Sequence, residues 1–306
     1  MDAHRISKEA GLTEGDWRQR GKDLFLTTSL TESPLAPAYD RSAMTTGIVH
    51  IGVGGFHRAH QAVVMDDLLA QGGHDSWAIT GLGALAGDSR MRDALNDQDG
   101  LYTLAVKHPD GHRDNRVIGS IRTMAVAPED PAGAVELMAD PATRIVSLTI
   151  TEGGYYVDAK TNGFDAAHPD IAHDAAHPDA PRTVFGMILA ALRQRRDAGA
   201  EPFTVLSCDN LPENGHVCAR TVTELAQLSD PDLAQWIRQN VAFPNSMVDC
   251  ITPATSDRER AHVRDRFGIT DAAPVVCEPF RQWVVEDRFC GPRPAFEAVG
   301  VQMVAD

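Results

Sequence analysis

Four short stretches of the chain are rich in β-branched and other apolar residues and lack the three-to-four spacing of a helix: Ile48 to Val53, Trp77 to Leu82, Ile145 to Thr151 and Phe203 to Cys208. Runs of this length without polar alternation predict strands buried on both faces, as parallel strands are. Helical spacing appears between them. Val64 with Leu68 and Met65 with Leu69 predict a helix that packs one face on a sheet, Val184, Ile188 and Leu192 predict another, and Cys218, Val222, Leu225 and Leu228 a third. Strands alternating with helices imply an α/β fold: a doubly wound, mainly parallel, Rossmann-like sheet.

The first strand runs straight into Gly52, Gly54 and Gly55, and then into a helix. Glycines at such a turn let the backbone fold tightly and approach a pyrophosphate, while free amides at the helix start supply donors. The fingerprint Gly-x-Gly-x-x-Gly asks for a third glycine at 57, where this chain has His57. Taken alone, the loop is equally an ordinary strand-to-helix turn. In open parallel sheets ligands sit beyond the carboxyl ends of the strands. Three polar clusters fall there: Thr151-Glu-Gly-Gly-Tyr155, Ser207-Cys-Asp-Asn-Leu-Pro212 and Phe243-Pro-Asn-Ser-Met-Val-Asp249. Each has a plainer reading, with Asp209 and Asn210 capping the following helix and Asp249 capping or bracing a turn.

With 306 residues the chain can bury a large core of one large or two ordinary domains. Residues 1–46, with Pro34 and Pro37 and no sustained periodicity, read as an extension with one short helix, wrapped on a domain that starts at Gly47. No apolar run reaches the roughly 20 residues needed to span a bilayer. Met1 to Arg20 is charged and polar without a signal-peptide core, so the expectation is a cytoplasmic protein. A net charge of -15 argues against nucleic acid or an anionic membrane as partner. Cys208, Cys218, Cys250, Cys277 and Cys290 are odd in number and contain no Cys-x-x-Cys pair, which fits free thiols rather than a disulfide framework or zinc site. The hexapeptide Asp-Ala-Ala-His-Pro-Asp occurs at 165–170 and 174–179, placing His168, His173 and His177 in a stretch read as a surface loop; no metal is assigned to it.

Several longer motifs, in order, resemble the polyol-specific long-chain dehydrogenases: Gly47 to Gln61, Thr149 to Tyr155, Ser207 to Gly215, Phe243 to Pro253 and Cys277 to Asp287. The resemblance implies zinc-independent hydride transfer between NAD and a small-molecule hexitol such as mannitol, giving a ketose such as fructose, by a monomer. It implies that Gly52, Gly54, Gly55 and Phe56 form the cofactor turn, which extends to Arg58, and that His57 is the family's own residue there. Asp88 matches an acid that accepts a ribose hydroxyl and so favours NAD over its phosphorylated form. The family often has a second acid before it, where this chain has Gly87.

The catalytic roles implied are a donor from Asn210 to the developing alkoxide and a substrate-orienting or proton-moving carboxylate from Asp249. Cys250 stands where the family has arginine, removing a fixed partner for nearby carboxylates. A lysine serves the family as general base on a helix of a C-terminal helical domain; here the last lysine is Lys160 and the chain stops at Asp306. The expected organisation is therefore an extension (1–46), a Rossmann-like NAD-binding domain (47–290) and a lead-in (291–306) to that helical domain, which is missing. This implies a chain that holds NAD without turning over polyol. A reductase of hexuronates such as fructuronate, or a non-catalytic remnant that binds NAD, are the alternatives, with Gly153 leaning towards the mannitol branch.

Overall fold

The computed structural model describes residues 36–158 and 160–305. In chain order the elements are β1 (Thr46–Ile51), α1 (Gly55–Ala59), α2 (Gln61–Ala70), β2 (Ala78–Gly83), α3 (Ser89–Asn96), β3 (Tyr102–Lys107), β4 (Arg113–Ile118), β5 (Ile121–Val126), α4 (Pro131–Ala139), β6 (Ile145–Leu148), α5 (Pro169–Ala176), α6 (Val184–Asp197), β7 (Thr204–Ser207), α7 (Asn214–Ser229), α8 (Pro231–Asn240), β8 (Ser246–Asp249), α9 (Asp257–Phe267), β9 (Val275–Cys277), β10 (Gln282–Glu286) and β11 (Gln302–Val304).

The main sheet has the order β5-β2-β1-β6-β7, and every neighbouring pair in it is parallel. Alternate residues of each strand face opposite ways and so feed two different cores. Ile48, Ile79, Ile145 and Leu206 pack with Val63, Val64, Met65 and Leu68 of α2. Val49, Val146 and Val205 pack on the other face with Ile188 and Leu192 of α6 and Val222 and Leu225 of α7. Coverage of both faces is why these strands lack polar alternation. The fifth strand, β5, carries Arg122 and Thr123 exposed at the sheet edge, so it has no continuous apolar run to betray it.

Two three-stranded sheets complete the fold, β4-β3-β9 and β11-β10-β8. They explain a departure from the expected one-sided helix. In α2 the residues Ala62 to Asp66, Leu68 and Leu69 are all buried, because the main sheet lies on one side and Trp283, Phe296 and Val301 close over the rest. Residues 291–305, expected as a lead-in, are therefore packed into this core through Phe296 and Val301. Of the extension, residues 1–35 lie outside the described residues, and the described part contains one short 3-10 helix, Arg41–Ala43. From Ala36 onward the extension is tied down: Tyr39 donates to Asp66 (2.5 Å), Arg41 Nε donates to the Gly119 carbonyl (2.9 Å), and Met44 is buried with Leu69 and Ala78.

The histidine-containing repeat is a second departure, since its middle forms helix α5 rather than loop. Pro169 suits the first helical position, and His168 Nδ1 accepts from the Asp170 amide (3.2 Å). Buried Asp174 then accepts from the amides of Arg182 and Thr183 and from the Thr183 hydroxyl, joining α5 to α6. Among the described residues no three histidine, cysteine or carboxylate side chains are grouped to hold a metal ion, and no helix is long and apolar enough to cross a membrane.

Candidate functional site

The strands of the main sheet end level. Ile51 pairs with Leu82 on one side and Leu148 on the other, and Leu148 pairs with Ser207. The loops after β1, β2, β6 and β7 thus leave one edge together, and the chain order reverses between β1 and β6, where such sheets open a crevice.

At that edge Gly52 has φ +98°, and a Cβ there would stand 2.1 Å from the Thr149 carbonyl oxygen, so no other residue fits. Its amide donates to the Leu82 carbonyl (2.9 Å) and its carbonyl accepts from the Gly54 amide (2.8 Å), which closes the turn. Gly54 is different: it is exposed, and a Cβ would meet nothing within 4 Å. The first intrahelical bond of α1 runs from Arg58 N to Gly54 O, leaving the amides of Gly55, Phe56 and His57 without a partner inside the helix. Open space over a glycine, faced by unpaired amides, fits an oxyanion-rich ligand lying against the backbone.

The position expected for the third glycine is filled from below. His57 is buried and stacks on His50 of β1 with ring centroids 3.4 Å apart and 12° between planes. Thr149 Oγ1 donates to the Gly52 carbonyl (2.7 Å) and lies 2.9 Å from His50 Nε2, while His50 Nδ1 lies 2.8 Å from Ser147 Oγ. With the Thr149 proton spent on Gly52, His50 carries its proton on Nε2 and accepts from Ser147 at Nδ1. Burial holds the His50 imidazole down to about 3 and that of His57 well below the ordinary value, so both rings are neutral. Two flat rings supply the close contact that a glycine supplies elsewhere.

Phe56, half-buried, stacks on His60 at 5.0 Å. Arg58, expected at the cofactor turn, has its side chain engaged elsewhere. Its side chain is 5% exposed, Nη1 donates to the Ala273 carbonyl (2.5 Å), and the guanidinium lies 5.4 Å from the centre of the Tyr102 ring. It braces the β3 side of the molecule because α1 turns that residue inward. Asp88 follows β2, where its Oδ2 accepts from the Leu85 amide (2.9 Å). A Cβ at Gly83 would stand 2.6 Å from the Asp88 Cβ, so the carboxylate is held against the strand end.

Asp209 does not cap the following helix. It is 8% exposed and accepts from the amides of Ile150 (3.1 Å) and Thr151 (2.8 Å) and from the Tyr155 hydroxyl (2.6 Å), which also contacts Ser207 Oγ at 2.6 Å. These bonds pull the chain off the sheet, so β6 ends at Leu148 rather than at Thr151. They also hold Thr151, a β-branched residue, at φ 64°, ψ 163°, a conformation that persists only when neighbours impose it. Asn210 stands exposed beside this anchor.

The start of α7 is capped instead by Asn245, whose Oδ1 accepts from the Gly215 amide (2.9 Å). Buried Asn214 donates to the carbonyls of Asp209 (3.0 Å) and Ser246 (2.8 Å) and accepts from the Ser246 amide (2.9 Å), clasping the end of β7 to the start of β8. Asp249 is three residues further along β8, exposed, and Thr252 beyond it packs 3.5 Å from where a Cβ at Gly55 would be. One segment therefore carries Asp249 between the Asn210 loop and the glycine turn. The sequence pointed to these loops but not to Asp209, Tyr155, Asn214 or Asn245 as their fasteners, since each pairing links residues about 30 to 60 positions apart.

An open parallel sheet with a glycine turn, an acid after the second strand and polar loops at the switch point defines a Rossmann-type domain. The family model described as the mannitol dehydrogenase Rossmann domain matches residues 46–298. The chain belongs to the mannitol dehydrogenase family. It is 59% identical over 273 residues to a mannitol 2-dehydrogenase of Cereibacter sphaeroides, covering 89% of this chain and 56% of that protein. With the Pyricularia oryzae mannitol 2-dehydrogenase it shares 49% over 272 residues, 88% of this chain and 54% of that one. Among solved structures, the Pseudomonas fluorescens mannitol 2-dehydrogenase ternary complex with NAD and D-mannitol superposes with a TM-score of 0.89 at 49% identity, covering 93% of this chain and 57% of that one. A substrate-free D-sorbitol dehydrogenase gives 0.87 at 43%, covering 91% and 57%. The chain thus spans about half the length of the relatives it matches.

Proposed function

We propose that residues 47–290, with the packed segment that follows them, form the NAD-binding part of a polyol dehydrogenase that interconverts a hexitol such as mannitol and a ketose such as fructose. The observation that carries this reading is the open space over Gly54 at the switch point, next to a Gly52 that the fold itself requires. The family relationship supports it, as does the Pseudomonas complex that contains NAD and D-mannitol.

The amides of Gly55, Phe56 and His57 hold the pyrophosphate, and Asp88 accepts a ribose hydroxyl. Bound NAD supplies the hydride acceptor. Asn210 donates from Nδ2 to the substrate oxygen on which negative charge grows, a contact worth roughly 3 kcal/mol of barrier. The Asp249 carboxylate orients a polyol hydroxyl, held by the Asn214 clasp at one end of its segment and by the Thr252 packing at the other. In the family a lysine takes the alcohol proton, and residues 161–306 contain none. Accordingly the 306-residue chain binds NADH but reduces fructose negligibly.

Titrating NADH and NADPH against the chain and its Asp88→Ala variant tests the cofactor assignment. The variant is expected to lose roughly tenfold of its preference for NADH, the value of a hydrogen bond to a charged group. An unchanged ratio removes Asp88 from the site, and robust loss of nicotinamide absorbance on adding fructose refutes the assigned need for the lysine.

A further inference from the structure

Cys250 follows β8 and Cys277 ends β9, and the two strand ends are joined directly. The Glu278 amide donates to the Ile251 carbonyl (3.1 Å), and the Ile251 amide donates to Glu278 Oε1 (2.7 Å). This pairing brings together the two strand ends that carry the thiols, and both thiols lie in one hydrophobic cluster, 7% and 4% exposed. Thr252 Oγ1 adds a contact to Cys250 Sγ at 3.9 Å. The other three cysteines have no thiol neighbour of this kind: Cys208 bonds the Leu206 carbonyl, Cys218 sits in the opposite core, and Cys290 accepts from Ala242.

We propose that Cys250 and Cys277 form a reversible dithiol–disulfide couple, oxidised by a peroxide, that resets the segment running from Asp249 to the glycine turn. Cys250 is the nucleophile. The hydrogen bond from Cys277 lowers its thiol below the ordinary value, opposed by burial and the Glu278 carboxylate and assisted by Thr252 and Arg281. The other four thiols are all raised, Cys277 chiefly by its bond to Cys250 and the rest chiefly by burial.

The Cys250 thiolate attacks one peroxide oxygen. An S–O bond forms, the O–O bond breaks, and hydroxide leaves as water after taking a proton. Cys277 sulfur then attacks the sulfenic sulfur and gives up its own proton, so that the S–S bond forms, the S–O bond breaks and a second water departs. Two thiols and one hydrogen peroxide become one disulfide and two waters, and a dithiol reductant reverses the change. An S–S bond of about 2 Å is much shorter than a thiol–thiol hydrogen bond, so closure draws the end of β8 towards β9. Thr252, which packs on Gly55, moves with it.

The experiment treats the reduced 306-residue protein with hydrogen peroxide, maps its unreduced peptides by mass spectrometry, and follows amide hydrogen exchange at residues 52–57 and 249–255. The expected result is a Cys250–Cys277 cross-link two hydrogens lighter than its parts, with a roughly tenfold change of exchange in both segments that dithiothreitol restores. Cys250→Ser and Cys277→Ser each abolish both effects, whereas Cys208→Ser retains them. Absence of the cross-link, or the same exchange change in Cys250→Ser, overturns the proposal. Its extension to lower NADH affinity after oxidation rests on the proposed cofactor site, and failure of the reduced protein to bind NADH would count against that site while the cross-link still judges the thiols.

Discussion

At position 52 a side chain has nowhere to go, because both the positive φ and the Thr149 carbonyl exclude it. Position 54 has a φ of -82° and empty space. Gly52→Ala is therefore expected to cost about 3 kcal/mol or more, from left-handed strain plus a backbone clash. Gly54→Ala is expected to cost about 1 kcal/mol or less while weakening NADH binding at least tenfold, because its methyl occupies the ligand's space rather than the protein's. Urea unfolding and NADH titration of the two variants separate these outcomes, and equal stability losses would refute the distinction. In the sequence the two glycines look alike, since a letter does not carry φ. The same limit hid the reason for His57: the motif showed that a glycine was missing, but only the stack on His50 shows what replaces its close contact.

At the scale of elements, strands β1, β2, β6 and β7 were legible because burial on both faces leaves an apolar run, and α6 and α7 because their apolar spacing is regular. Strands β8 to β11 were not, since three to five residues packed on small sheets leave too little pattern. Ends of elements were set by distant partners. Strand β6 stops where Asp209 captures the amides of Ile150 and Thr151, and the duplicated histidine segment is helical because Pro169 and Asp174 start and anchor α5. The Asp209 anchor makes a testable element. Tyr155→Phe removes one donor from the buried carboxylate and is expected to cost about 1–3 kcal/mol. It is also expected to speed amide exchange at Ile150 and Thr151, whose strained loop then has less to hold it. Exchange confined to its wild-type rate would mean that Tyr155 supports the core alone.

Over the whole molecule, acid acts in two opposing directions. Lowering the pH from 7 reduces the charge of -15, which relieves self-repulsion and favours the compact state. Against this stand three buried imidazoles between β1 and α2: burial lowers His50 to about 3, His60 to about 4, and His57 well below its ordinary value. Each stays neutral in the folded chain but takes a proton in the unfolded chain below about 6.5. The unfolded state therefore binds more protons, and stability that is full above pH 6.5 is lost as the pH falls towards the folded values. At pH 5.5 each ring that stays neutral in the folded chain costs on the order of 1 kcal/mol, so the three together weigh noticeably against a typical domain's stability. Relief of a dispersed surface charge is screened over about 8 Å in 0.15 M salt, so the histidine contribution is expected to win. Urea midpoints measured between pH 7.5 and 5.5 in 0.15 M salt should fall steadily, with a slope approaching three protons. Replacing His60 by glutamine should shorten that slope by one proton, since its Nε2 contact to the Gln282 carbonyl (2.8 Å) is one an amide can copy without titrating. A flat profile would mean that these rings are hydrated or protonated in the folded protein, and with it would go the neutral His50–His57 stack beneath the glycine turn.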